Sequence, residues 1–295
     1  MLFAAIDIGS NAGRLLFSNV YEHDEKVVIE KSSLVRVPLR LGFDSFQDGI
    51  ISKEKIDNLC NTMIAFRYLM EVYKPVSYRA IATAALREAI NREEVVKAVK
   101  NAAGFSLEII DGIMEAQLVC ATHQEYESGN EVYAYVDVGG GSTEISVIQR
   151  GELMASASFK LGTLRILNEA ENVNEWYDME RWLMNIHKQF FNVQCVGSGG
   201  NINKLSKLYG KKNARQLSFK SLVRGYRQLK DMALADRIEH MGLRSDRADV
   251  IVPAAKIFIS VMKGLATDKI MIPRIGLSDG VVYQLYKEFK DKPQR

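Results

Sequence analysis

Asp137-Val138-Gly139-Gly140-Gly141-Ser142-Thr143-Glu144 follows one apolar run, Val132–Val136, and precedes another, Ile145–Ile148. The order reads as strand, glycine turn, strand. Three consecutive glycines take backbone angles closed to other residues and let a polyanion approach the main chain, while Ser142 and Thr143 add hydroxyls to the turn's amide donors. That is the chemistry of a phosphate cradle. Asp137 and Glu144 bracket it with carboxylates, hard oxygen ligands that suit Mg²⁺. Taken alone, the stretch also reads as a tight hairpin with two solvated acids.

A second copy of the pattern removes that isolation. Asp7-Ile8-Gly9-Ser10-Asn11-Ala12-Gly13-Arg14 follows the apolar Leu2–Ile6 and leads into Leu15-Leu16-Phe17. The chain therefore reads as two halves of one design, and two Asp-x-Gly turns facing each other across a cleft would hold a phosphate chain from both sides, with a metal between the acids.

Outward from these turns, 295 residues with 47% apolar content suffice for two domains with cores of their own. Cys60, Cys120 and Cys195 form no CxxC, and His23, His123, His187 and His240 do not cluster with them. A zinc site or disulfide framework is not expected, and a reducing cytoplasm is the natural compartment. No apolar run approaches the roughly 20 residues that span a bilayer, and the N-terminus lacks a signal pattern, so a soluble protein without membrane partners is expected. A formal charge of +3 does not point to nucleic acid.

After the first turn the spacing predicts strands at Leu15–Tyr21 and Lys26–Val35, a helix at Lys53–Tyr73, a strand at Val76–Ile81, a turn into helix at Ala82–Ala89, a helix at Glu93–Ala103, a strand at Phe105–Ile110 and a helix at Ile113–Gln124. Glu127–Glu131 is polar, contains glycine and serves as linker. Beyond it the pattern restarts, with strands at Val132–Val138, Thr143–Gln149 and Leu153–Phe159 and a helix beginning at Leu161–Arg165. A helix at Met179–Phe190 leads to a strand at Val193–Val196, and a second glycine turn, Gly197–Asn201, enters a helix at Ile202–Leu208. Helices at Ser218–Ala233 and Arg247–Leu265, a strand at Lys269–Ile272 and a helix at Asp279–Phe289 follow. The expected fold class is α/β with mixed sheets flanked by helices, divided into residues 1–126 and 127–295.

Together the turns resemble the exopolyphosphatase/guanosine pentaphosphate phosphohydrolase family of the actin-like ATPase and sugar kinase superfamily. The resemblance is carried by Asp7–Arg14, Arg40-Leu41-Gly42, Ala82–Ala89 with Asn91, Gly112–Leu118, Asp137–Ile145, Gly197–Leu205, Arg247-Ala248-Asp249 and Gly276–Val281. It implies two actin-like (ribonuclease H-like) lobes with an interdomain cleft, Mg²⁺ (Mn²⁺ accepts the same ligands), and release of terminal phosphate from polyphosphate or guanosine pentaphosphate in the stringent response. The length resembles the short, two-lobe forms, with a homodimer as one expected assembly.

Carried over by residue, the resemblance makes Glu115 the catalytic base, with a solvated first-turn acid as its plainer reading. Arg87 becomes a phosphate-binding arginine, whose fork of donors holds two oxygens. Asp137, Glu144 and Asp7 become the metal- and phosphate-site acids, Glu144 also joining the catalytic set. Ser10, Asn11 and Arg14, with Gly139, Gly140, Gly141 and Ser142, supply phosphate donors, and Gly199 and Gly200 belong to a turn that binds nucleotide or distal polyphosphate, or is simply a close-packed helix start.

Independent of the family, nine basic residues and no acidic one lie between Lys204 and Lys230. They suit a linear polyanion, or form solvated helix faces. An actin-fold small-molecule kinase and a non-catalytic sensor of guanosine tetraphosphate, guanosine pentaphosphate or polyphosphate are the competing functions.

Overall fold

A computed structural model describes residues 1–23, 26–121, 130–211 and 215–291. The chain divides into two compact units, Met1–Thr122 with Leu277–Arg295, and His123–Gly276. Residues 127–129 of the expected linker, and the end of the helix expected to reach Gln124, lie outside the described residues.

The first unit opens with β1 (Leu2–Ile8), β2 (Ala12–His23) and β3 (Lys26–Pro38), an antiparallel meander. The short helix α1 (Leu41–Gln47), not expected from periodicity, leads to α2 (Lys53–Tyr73) and then β4 (Ser77–Ala82), which pairs parallel to β1. Then come α3 (Ala84–Glu88), α4 (Arg92–Ala103), β5 (Glu108–Ile109) and α5 (Gly112–Cys120). The strand expected over Phe105–Ile110 shortens to two residues, because β5 meets β4 only at Ile81↔Glu108 and Ala82↔Ile109. The sheet order is β3-β2-β1-β4-β5.

Alternation along β1 decides its two faces. Ala4, Ile6 and Ile8 pack with Leu59, Met63 and Phe66 of α2 and Val95 and Val99 of α4. Phe3 and Ala5 point the other way, toward Leu118 and Val119 of α5. Asp7 shares that parity, so it ends the strand on the α5 face.

The second unit repeats the plan with β6 (Val132–Val138), β7 (Thr143–Gln149), β8 (Glu152–Phe159), α6 (Thr163–Leu167), α7 (Val173–Gln189), β9 (Gln194–Ser198) and α8 (Gly200–Tyr209). Helix α7 begins earlier than its apolar spacing suggests, where the Asn172 side chain caps the Asn174 N–H at 2.9 Å. Next are β10 (Gln216–Ser218), α9 (Phe219–Asp231), α10 (Leu234–Glu239), α11 (Ser245–Ala248), α12 (Ile251–Gly264) and β11 (Lys269–Met271). The single helix expected over Arg247–Leu265 is thus two. The sheet order β8-β7-β6-β9-β11 matches the first unit strand for strand, with β10 added antiparallel at the edge. Both sheets have the ribonuclease H-like plan that the family resemblance implies.

The last helix, α13 (Leu277–Lys290), corrects the expected division at residues 126/127. It returns to the first unit, where Leu277, Val281, Val282, Leu285 and Tyr286 complete the cluster around Phe3. The Phe3 ring meets Tyr286 and Phe289 edge-on, with centroids 6.4 and 5.8 Å away. Lys31 Nζ also donates to Asp279 Oδ2 at 2.9 Å. An apolar stripe announces that a helix is covered, but not which sheet covers it. No helix among the described residues is long and apolar enough to cross a membrane.

Candidate active site

The two turns are the same structure at the same place in each sheet. In the first, the Gly9 N–H donates to Ala12 O at 3.1 Å, and in the second the Gly139 N–H donates to Ser142 O at 2.9 Å. Asp7 faces Arg14 across its hairpin, and Asp137 faces Glu144 across the other. Opposite residues in an antiparallel pair project to one face. The repeat therefore places a carboxylate against a guanidinium in one unit and against a second carboxylate in the other.

In the first unit Arg14 Nη1 donates to the buried Asp7 Oδ2 at 2.6 Å. The turn is braced from behind, since Ser10 O accepts the Gly42 N–H at 2.9 Å and Asn11 O accepts the Arg40 N–H at 3.0 Å. Ser10 is itself buried.

On the same unit, Arg87 of α3 and Glu115 of α5 come together across 28 residues of sequence, Nη1 to Oε2 at 3.3 Å. The same Nη1 donates to Ile110 O at 2.9 Å, which leaves Nε and Nη2 outside both bonds. The Glu115 side chain is only 9% exposed against 22% for Arg87. A solvated first-turn acid is therefore ruled out. The first turn of α5 is fixed by Asp111, whose side chain accepts the Met114 N–H at 2.8 Å, and Glu115 sits one residue further along.

In the second unit the glycine carbonyls all point one way. Gly139 O accepts the Thr163 N–H at 3.0 Å, and Gly140 O accepts those of Leu164 and Arg165 at 2.8 and 3.2 Å. Gly141 O accepts from the buried Arg165 Nε at 2.9 Å. In a trans peptide the C=O and the following N–H point in opposite directions, so the N–H groups of Gly140, Gly141 and Ser142 face away from α6. Three parallel donors make an anion cradle. The Thr143 hydroxyl, expected among the donors, is instead fully buried and donates to Leu161 O at 2.6 Å.

Glu144 is 2% exposed, which excludes a hairpin with two solvated acids, and it accepts from Ser158 Oγ at 3.0 Å. Asp137, Glu144 and the Ser158 hydroxyl form an all-oxygen set. Among the described residues no group of three or more His, Cys, Asp or Glu side chains that could hold a metal comes together. A cation held by one or two carboxylates, with water and phosphate oxygens filling its shell, is the Mg²⁺ pattern, so this set fits that ion.

The second glycine turn has a packing reason for each glycine. A Cβ on Gly197 would lie 2.7 Å from Ile270, and one on Gly200 2.6 Å from Arg247, whose Nη1 donates to Gly200 O at 2.6 Å. Gly199, at φ 90°, would place a Cβ 2.8 Å from Asp137 Oδ1. The close-packed reading holds for Gly197 and Gly200, and Gly199 adds contact with an expected metal ligand. Arg165, Ser158 and Gly162 had no signal in the sequence, because only packing puts them behind the cradle.

A model of the Ppx/GppA phosphatase family matches residues 20–289. The chain belongs to that family. Among Ppx/GppA relatives, a guanosine-5'-triphosphate,3'-diphosphate pyrophosphatase of Vibrio campbellii is 26% identical over 100% of this chain and 61% of its own length. One from Photobacterium profundum is 24% identical over 98% and 60%. The chain spans about three fifths of the length of these relatives. An exopolyphosphatase structure from Cytophaga hutchinsonii superposes with a TM-score of 0.84 at 22% identity, covering 98% of each chain. The Ppx/GppA member from Aquifex aeolicus gives 0.76 at 23%, covering 100% of this chain and 99% of its own. At these identities the structures show a shared fold. The Ppx/GppA match begins after Asp7–Arg14, which the internal repeat ties to Asp137–Glu144 instead.

Proposed function

We propose that this protein is a phosphohydrolase that releases terminal phosphate from inorganic polyphosphate or guanosine pentaphosphate. The observation that carries this reading is the pairing of the buried Glu115, in the first turn of α5, with the half-buried Arg87 of α3. Water attacks the terminal phosphorus, Glu115 takes a proton from it, and the bond from phosphorus to the bridging oxygen breaks to leave orthophosphate and a shortened chain. Arg87, through Nε and Nη2, holds phosphate oxygens and offsets charge as that bond breaks. The N–H groups of Gly140, Gly141 and Ser142 bind phosphate, as do Ser10, Asn11 and Arg14 of the first turn and Gly199 of the other glycine turn, while Gly200 is a packing glycine against Arg247. Asp137 and Glu144 would hold Mg²⁺ or Mn²⁺, which supplies charge neutralisation on phosphate oxygens. Asp7, tied to Arg14, orients that guanidinium. The free thiols Cys60 and Cys195 suit a cytoplasmic protein.

The test is phosphate release by purified protein with Mg²⁺, offering long polyphosphate, tripolyphosphate, guanosine pentaphosphate and ATP side by side. Selective release from the first three supports the reading. A kinase would release nothing without an acceptor, and a sensor would bind without turnover; either result overturns it.

Gly162 provides a test of the cradle itself. A Cβ there would stand 2.3 Å from Gly140 O and 2.4 Å from Gly141 C, both backbone atoms. Gly162→Ala must push the turn aside, and kcat/KM for phosphate release is expected to fall on the order of 10²-fold. Unchanged steady-state kinetics would remove Gly139–Ser142 from the mechanism.

A further inference from the structure

The basic stretch between Lys204 and Lys230 takes no part in the site described above. Most of its second half is α9, whose buried side is Leu222, Gly225 and Leu229. On the opposite side stand Lys220, Arg224 and Arg227, all exposed, in one row at helical spacing i, i+4, i+7. With Phe219 and Val223 they line an open groove of about 330 Å³. None of the three cations is ion-paired among the described residues. The first acid on the helix is Asp231, its last residue. The row extends about 10 Å along the axis, enough to meet several consecutive phosphates of an extended chain.

We propose that this face of α9 is a docking track for a linear polyphosphate chain, separate from the phosphate groups that react. The inference rests on the reading of polyphosphate as a substrate and adds where its unreacted length is held. Charge complementarity selects the occupant. Three unpaired cations in line match a polymer that carries a negative charge on every unit, and each contact made releases condensed counterions. A single-stranded nucleic acid would need aromatic platforms for its bases, and the groove offers one half-buried ring, Phe219. The groove lining itself contains Phe219 and Val223 beside the three cations and no carboxylate.

The track is tested with the triple variant Lys220→Gln, Arg224→Gln, Arg227→Gln. Because all three residues are exposed, thermal unfolding should match the wild type. Binding is measured without divalent metal, so that nothing turns over, using long polyphosphate, tripolyphosphate and a single-stranded oligodeoxynucleotide. The expected result is at least a tenfold loss of long-chain affinity, with the slope of log K against log salt reduced by about two. Tripolyphosphate binding, and phosphate release from guanosine pentaphosphate, should stay unchanged.

Equal long-chain affinity in variant and wild type overturns the proposal. So does an oligodeoxynucleotide that binds the wild type as tightly as polyphosphate and loses as much in the variant, since the face would then be a nucleic-acid site. If the wild type releases phosphate from nothing, the proposed activity fails while the binding comparison still decides the track. If it hydrolyses guanosine pentaphosphate but does not bind long polyphosphate, the track fails and the activity stands.

Discussion

Glu115→Gln is expected to lower phosphate release by about 10²- to 10⁴-fold, the usual worth of a positioned general base, while ligand binding persists. Gln matches the shape of Glu and keeps an oxygen that can accept from Arg87 Nη1, 3.3 Å away in the wild type. The second Nη1 bond, to Ile110 O, does not involve the carboxylate at all. What the substitution removes is the negative charge and the ability to take a proton. Losing an anion beside Arg87 should leave phosphate affinity equal or stronger, as a like charge no longer opposes the ligand. The measurement pairs initial rates with equilibrium binding in metal-free buffer and a thermal melt. Release within threefold of wild type would place the base elsewhere, whereas a joint loss of binding and melting temperature would make Glu115 structural.

Gly280→Ala should be the most damaging small change to the fold. Ala is the better helix former by about 1 kcal/mol, so propensity alone predicts a gain. Contact predicts the reverse, because a Cβ on Gly280 would fall 1.8 Å from Leu118 O and 2.4 Å from its carbonyl carbon. Those are backbone atoms of α5 and cannot rotate away, so α13 and α5 must separate and loosen the cluster around Phe3. The expected cost is about 3 kcal/mol net, a fall of about 10 °C in melting temperature. Because α5 also carries Glu115, kcat should fall as well, even with substrate saturating. Gly276→Ala is the control, since nothing lies within 4 Å of a Cβ there. Equal melting temperatures for the two variants would mean that the helices can part at little cost.

The hairpin β6–β7 was legible to the residue, as Val132–Val138 and Thr143–Gln149, because two apolar runs on either side of a glycine turn specify a hairpin locally. The same holds for α2, whose bounds follow from its stripe and from Pro75 after it. Three elements escaped. Helix α1 is one short turn pair bound to the Ser10–Asn11 backbone, β10 is three residues long, and α10 has no buried residue to give it a stripe. Of the candidate site, the glycine cradle could be read from chemistry. Glu115 and Arg87 could be named only through the family resemblance, since neither type nor spacing distinguishes them from surface charges.

The sequence by itself determined the two turns and the repeated order of strands. These depend on period, turn residues and composition, which act over a few neighbours. Only the tertiary structure decided that α13 belongs with β1, that Arg87 meets Glu115, that Glu144 is buried opposite Asp137, and that Arg165 turns the glycine carbonyls backward. Each of these is a contact between segments distant in the chain. Which of several apolar faces pair, and which charge is thereby taken out of water, is set by the packing energy of the whole unit, and no local pattern records it.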